Sequence, residues 1–304
     1  MLLKYYLNKL DYENMPEFIK IYLTVPSLVR LKKVGYFCGM DYASKDIYNF
    51  TEYISRFDHS LTVALLTYKL TKDKTATLAA LFHDIATPCF SHVIDYMNKD
   101  YENQESTEEY TEKILRNDKT LCNFFKEDNI DIDNVISFKR HTIVDNDRPK
   151  LCADRLDGVI LTGIGWTKNI NIEDINNIID DLCIIKNEFN EYEIGFKTKK
   201  IALKVLSVSE SIDRFCHSDE DNYMMELLAK ITKYAILKKY ISYDDLYHFN
   251  EEELFALLKN KKDFELAILI YEFENKKLTD ISKTNLISVK ARKLNPIVNG
   301  NRIK

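Results

Sequence analysis

Three segments of this chain place ionisable residues where an apolar helix should begin or end. His59 opens DHSLTVALLTYKL, the doublet His83-Asp84 closes ATLAALFHD, and Asp154 sits in LCADRLDGVIL. A helix that is apolar almost all round belongs in a core. An imidazole or carboxylate taken into that core is costly unless it is paired or bound to a metal. The chain is therefore constrained to fold so that these ends converge on one pocket. A short turn over Thr71 to Thr75 would make the first two helices antiparallel and bring His59 beside His83-Asp84, and a later helix would add Asp154. Two imidazoles and two carboxylates suit a borderline divalent ion such as Mn, Fe or Zn, and such an ion activates water. Alone, His59 reads as a hydrogen-bonded core histidine and Asp84 as a helix-end polar residue. The four together read as the metal site of a hydrolase.

At 304 residues and 45% hydrophobic, the chain can bury a large core. Apolar residues at three- and four-residue spacing predict helices over 16–34, 60–72, 74–84, 106–126, 173–190, 198–216, 223–239 and 251–273. Ser106-Thr107 and Asn250, each followed by glutamates, read as helix starts. Strand signals are few: GYFCGMDY (35–42) as a turn or short hairpin, EYEIGFK (191–197), and LISVKARKLNPIV (286–298) as an edge strand interrupted by proline. The expected fold is all-α, a mainly helical bundle over 1–275 with a small C-terminal β-containing, basic appendage over 276–304. The net charge of -5 lies in mixed-sign segments, which does not favour a general nucleic-acid binder. No apolar run approaches a membrane span and the first residues lack a signal-peptide pattern, so a soluble, cytoplasmic protein is expected. The six cysteines are scattered without a CxxC pair and read as reduced, small hydrophobes.

The order H…HD…D, carried by RFDHS, LFHDIATPCFSH and ADRLDG, resembles the HD-domain phosphohydrolases, and most closely the deoxynucleoside triphosphate triphosphohydrolases. YLTVPSLVRLKKVG, YISYDDLYHFNEEELFALL and KARKLNPIVNGNRIK extend the resemblance over nearly the whole chain. It implies that His59, His83, Asp84 and Asp154 hold a divalent metal ion (Mn, Fe, Zn, Ni, Co or Mg). It also implies that Arg56 contacts substrate phosphate and that His92, with Asp95 beside it, is a catalytic histidine. A guanidinium suits phosphate because it donates two parallel hydrogen bonds. Asp95, at i+3, would orient His92 and favour its protonated form, so that His92 hands a proton to the leaving 5'-oxygen. Arg155 stands where relatives often have a basic residue and is a further phosphate candidate. The implied reaction is metal-dependent hydrolysis of a nucleotide to nucleoside and inorganic triphosphate, commonly by a homo-oligomer.

Several positions depart from that pattern. Thr87 and Gln104 stand where relatives often carry histidines, Tyr36 where many place a sugar-sensing glutamine, and Asp157-Gly158 where they have Asp-Tyr. These departures keep two alternatives open: another HD phosphohydrolase acting on a monophosphate or signalling nucleotide, and a nucleotide-binding regulator without turnover. His141, in a basic cluster with Lys139, Arg140 and Arg148, reads as a surface or phosphate-facing residue, or as an extra ligand of a binuclear site. His217 and His248 read as surface histidines. Lys197, Lys199, Lys200 and the tail residues Lys290, Arg292, Lys293, Arg302 and Lys304 offer positive charge to phosphates, nucleic acid or an allosteric nucleotide, but read most simply as solvated faces.

Overall fold

A computed structural model describes residues 1–102, 110–282 and 289–303. Its frame is a helical hairpin. Ser55 caps the helix Arg56–Thr71 by accepting from Asp58 N, while the Asp58 side chain accepts from Ser55 N, a reciprocal capping box. Lys72 ends that helix in the left-handed region (φ 57°), and Asp73 caps the next, Lys74–Phe82, by accepting from Ala76 N. The helix Ala153–Gly165 packs against Arg56–Thr71, and the N-terminal helix Leu2–Lys9 packs on Ala153–Gly165 and Ile172–Asp181. His59 and His83 thereby face each other from the hairpin, with Asp154 above them.

A second apolar cluster forms where Asp219–Leu237 packs on Val93–Asn98 and Phe264–Asn275. It is joined to the hairpin by a buried glutamate. Asn250 caps Glu251–Lys259 as expected, yet Glu251 is fully buried rather than solvated at the helix start. Its carboxyl accepts from Gly35 N (3.0 Å) and Phe90 N (3.2 Å), so it ties together the loops that precede Tyr36 and His92. Burial pushes this carboxyl up to about 8. A Cβ at Gly35 would stand 2.6 Å from Asp41 Oδ2 and 2.9 Å from Glu251 Oε2, so a larger residue there would have to displace these carboxyls.

The protein is mostly helical with a small four-stranded sheet. Several sequence expectations need correction. The helix expected over 173–190 stops at Asp181, and Leu182–Lys186 is a strand, β1. It pairs antiparallel with β2, Tyr192–Phe196, within the segment read as a strand. The C-terminal residues complete this sheet as β3, Ile297–Val298, parallel to β2, and β4, Asn301–Arg302, antiparallel to β3. Half of the sheet thus comes from the middle of the chain. Residues 35–42 form a turn ending in a short 3-10 helix (Met40–Tyr42), not a hairpin. The helix expected over 16–34 is split before Pro26, and that over 251–273 is split before Asp263, which caps Phe264–Asn275. The one expected over 106–126 is interrupted at Asp118; Ser106-Thr107 and Gln104 lie outside the described residues. All six cysteines are free. Among the described residues no helix is long and apolar enough to cross a membrane.

Arg302, read as part of a solvated basic tail, is a structural residue. Its Nη1 and Nη2 donate to the two oxygens of the fully buried Glu193 at 2.7 and 2.9 Å, fastening β4 to β2. Removing one partner of such a pair leaves an uncompensated buried charge. Arg302→Met should therefore lower stability by about 3 kcal/mol, read from the denaturant midpoint. Arg302→Met combined with Glu193→Gln should recover part of that loss.

Candidate metal centre and its cavity

The two histidines are presented in the same way. His83 ends the Lys74–Phe82 helix, and its Nδ1 donates to Ala80 O at 2.7 Å, which leaves Nε2 for the pocket. That Nε2 is buried and makes no hydrogen bond. His59 Nδ1 lies 2.7 Å from Asp157 Oδ2, whose other oxygen accepts from Tyr6 Oη at 2.7 Å, so the ring is held with Nε2 also facing the pocket. Asp154, in the first turn of Ala153–Gly165, puts Oδ1 3.1 Å from His59 Nε2 and 3.5 Å from His83 Nε2. Ligand atoms of His59, His83 and Asp154 all lie within 4.8 Å of one another. Asp84 stands at the margin of this group. Its Oδ2 accepts from Arg56 Nη1 at 2.8 Å, and its Oδ1 is 3.9 Å from His83 Nε2.

This donor set fits a divalent cation. Both imidazoles are anchored through Nδ1, the tautomer that leaves Nε2 as a ligand, and an orphaned buried Nε2 asks for a partner. Burial opposes a charged His59, but the Asp154 and Asp157 carboxylates overcome it and push His59 up to about 10. His83 is raised too, against burial, by Asp84 and Asp154. Burial would raise Asp84, yet the Arg56 guanidinium and the two imidazoles hold it down at about 2. Asp154 is likewise held well below the usual carboxylate range despite burial, by His59 and His83.

The triad opens on a cavity of about 640 Å³. Arg56, buried, lines it, with Nε donating to Ser91 Oγ at 3.2 Å. His92 and Asp95 are brought together as expected, Nδ1 to Oδ2 at 2.9 Å, with His92 lining the cavity. The expected preference for a protonated His92 is overturned. Burial lowers its pKa by more than the Asp95 hydrogen bond and charge restore, and the charges of Arg56 and Arg292 add to the lowering. Arg155 lines the cavity but is committed to the neighbouring loop: Nε donates to Lys150 O, Nη1 to Asp145 and Nη2 to Asn146. Arg148 lines the same wall and makes no ion pair among the described residues. Burial and the charges of Arg292 and Arg155 lower it to about 10.

Tyr36 resolves one departure. Its half-buried ring lies 4.9 Å from the His59 ring and under the Arg56 guanidinium, also at 4.9 Å. Its hydroxyl comes within 2.9 Å of where a Cβ at Gly158 would be. Tyr36 thus occupies the space beside Gly158. Thr87 is fully buried and does not line the cavity. His141 is turned away from the triad, its Nε2 bonded to Asn134 O at 3.0 Å, and it is not among the residues that line the cavity. His217 Nδ1 is bonded to Asp213 O and His248 is paired with Asp244. Asp157 was missed as a working residue, although its spacing of three from Asp154 puts both on one helical face. Arg292 and Asp221, which also line the cavity, were missed in a charge run and at a helix start.

Residues 56–159 match the HD domain family. The match supports an HD-domain, metal-dependent hydrolase, and it contains His59, His83, Asp84 and Asp154. The chain is also similar to "Uncharacterized protein YdhJ" of Bacillus subtilis (strain 168), 28% identical over 220 residues. That similarity covers 71% of this chain and 65% of the relative, under two thirds of the relative's length. Tyr6, Tyr36, Asp221 and Arg292 lie outside the HD match.

Two outcomes are expected at this centre. Asp157→Asn, which weakens the acceptor for His59 Nδ1, should reduce divalent-metal affinity by about 10–100-fold while the protein remains folded, as judged by metal titration and circular dichroism. Metal entry must also displace the proton that His59 carries below about 10. Affinity should therefore rise with pH through the neutral range, with proton release seen as buffer-dependent binding enthalpy.

Proposed function

We propose that the protein is a metal-dependent phosphohydrolase acting on nucleotides, most simply a triphosphohydrolase that releases nucleoside and inorganic triphosphate. The observation that supports this reading is the convergence of His59 Nε2, the unpartnered His83 Nε2 and Asp154 on a cavity with cationic walls. His59, His83 and Asp154 would hold the ion, with Asp84 completing the set. A divalent cation supplies Lewis acidity and a water made nucleophilic at neutral pH.

The chain's own residues do the rest. Arg56, fixed by Asp84 and Ser91, offers positive charge to a phosphoryl group as its charge develops. Arg148, without an anionic partner among the described residues, takes a second phosphate from the opposite wall. Burial lowers the His92 pKa, against the pull of Asp95. A bound polyanion would add its negative charge to that of Asp95 and favour the imidazolium, so that His92 acquires the proton it passes to the leaving oxygen. Tyr36, over His59 and Gly158, closes the cavity where the sugar would lie. Assembly into a homo-oligomer is part of the same proposal, and sedimentation with and without nucleotide tests it.

A panel of deoxynucleoside and nucleoside triphosphates and monophosphates, with Mn, Mg or Co, should show triphosphate release. A nucleotide with a blocked β-γ linkage should still be cleaved. His83→Ala with Asp84→Ala should abolish turnover, and Arg56→Ala should lower it by roughly a hundredfold or more. Phosphate release from monophosphates alone would assign the site to another HD phosphohydrolase. Nucleotide binding with no turnover under any metal would assign it to a regulator.

A further inference from the structure

Phe90 and Ser91 stand immediately before His92, and both lie in the left-handed region, with φ of 67° and 47°. Neither is glycine, so each Cβ works against its own backbone there. Two such residues in succession persist only where the surroundings over-determine them. The hold comes from the helix Glu251–Lys259 and the segment leading into it. Cys89 N donates to Leu246 O at 2.7 Å, and Arg30 donates to both Thr87 O (2.6 Å) and Phe249 O (3.2 Å). Phe90 N donates to Glu251 Oε1 at 3.2 Å. Phe255, one helical turn on from Glu251, sets its ring 5.0 Å from that of Phe90. One helix face thus grips the turn by main chain and side chain together.

The other oxygen of Glu251 reaches a part of the chain that is itself anchored. Oε2 accepts from Gly35 N at 3.0 Å, and Gly35 is bridged to Ser55. On either side of that bridge Tyr36 N donates to Ile54 O at 2.9 Å and Arg56 N to Val34 O at 2.8 Å. Glu251 therefore ties the turn before His92 to the main chain of Arg56. A side-chain bond makes the same connection, Arg56 Nε donating to Ser91 Oγ at 3.2 Å. His59 and His83 take their ring orientations elsewhere, from Asp157 and Ala80.

One oxygen of the buried carboxyl serves each loop. An amide side chain in its place accepts through a single oxygen, and a hydrocarbon through none. We infer that Glu251 is a positioning residue for His92: it keeps the turn that carries the imidazole in a fixed relation to Arg56. The proton donor and the phosphate contact are thereby set against each other by a residue outside the HD match, while the two histidine ligands are set independently. This deepens the phosphohydrolase reading and rests on it for what His92 does. Whether Glu251 places His92 is measured without turnover.

The test begins on the unaltered chain. In native-state hydrogen exchange the Phe90 amide, although in a turn, should be protected like those of the Arg56–Thr71 helix. The imidazole resonances of His92, identified by their loss in His92→Asn, then report its surroundings through a pH titration. Burial depresses the His92 pKa, so a turn that relaxes lets it climb toward the ordinary imidazole value. It should climb in Glu251→Gln, which leaves one amide without an acceptor, and further in Glu251→Leu, which leaves both. Divalent-metal affinity should be unchanged in each. Ser91→Gly, which takes the left-handed conformation without a Cβ, should return His92 part of the way in the Glu251→Leu background. A merely unfolded protein cannot be rescued in that way. If the protein turns nucleotides over, Glu251→Gln should lower kcat by roughly tenfold or more with KM little changed. Rapid exchange at the Phe90 amide, a His92 titration unmoved in folded Glu251→Gln, or metal affinity falling in step with the His92 change would each overturn the inference. Turnover with His92 unmoved removes the positioning role and leaves hydrolysis. A shifted His92 in a protein that hydrolyses nothing supports the positioning role and removes hydrolysis.

Discussion

The arrangement depends on a carboxylate that no solvent reaches. Asp157 receives the Tyr6 hydroxyl and faces His59 Nδ1, with Thr62 Oγ1 2.9 Å away. Three helices meet at this polar point: Leu2–Lys9, Arg56–Thr71 and Ala153–Gly165. Such a group is tolerated in a core only when its lone pairs are met. The partners that satisfy Asp157 therefore also fix the rotation of the His59 ring and the register of two helices. Local stability and ligand geometry here are one requirement, since a slip of either helix would leave the carboxylate without partners and turn Nε2 away from Asp154.

Charge balance imposes the next constraint. Asp84 and Asp154 face two imidazoles and Arg56 in a buried volume, and every pKa shift in the group follows from that crowding. A divalent cation and two protons on the histidines are competing solutions to the same electrostatic problem. Arg56 is not displaced in either case, because its Nη1 is committed to Asp84. This divides the carboxylates by role: Asp154 is directed at both Nε2 atoms, whereas Asp84 is shared between the centre and the arginine.

Much of this was legible in the sequence wherever the signal was local. The helices around His59, His83 and Asp154 follow from period and caps, and their convergence follows from the short turn at Thr71 to Thr75. What was not legible depends on distant partners. Leu182–Lys186 has apolar spacing compatible with a helix and becomes a strand because Tyr192–Phe196 and then Ile297–Val298 are there to pair with it. Tyr36 and Gly158 each look like a departure, and only their proximity shows one filling the space left by the other. Arg292 and Arg302 belong to one basic tail in sequence, yet one enters the cavity and the other neutralises Glu193. A charge run states net charge; which cation is buried depends on backbone bonds made to residues far away in the sequence.

Those backbone bonds also separate two kinds of work. The residues matching the HD domain supply the triad, Arg56 and His92, which suffice to bring an ion, a phosphate and a proton source together. They do not enclose the far end of the cavity. Residues outside the match do that: Tyr36 and Tyr48 before it, Asp221 after it, and Arg292 from a segment pinned by its main chain. On the proposed reading, chemistry and recognition therefore reside on separate stretches of the chain and meet only through tertiary packing. A change in the Arg292 segment can then reshape that wall of the cavity while leaving the distances at His59, His83 and Asp154 intact, because Asp157 and Ala80, not the cavity wall, hold those rings in place.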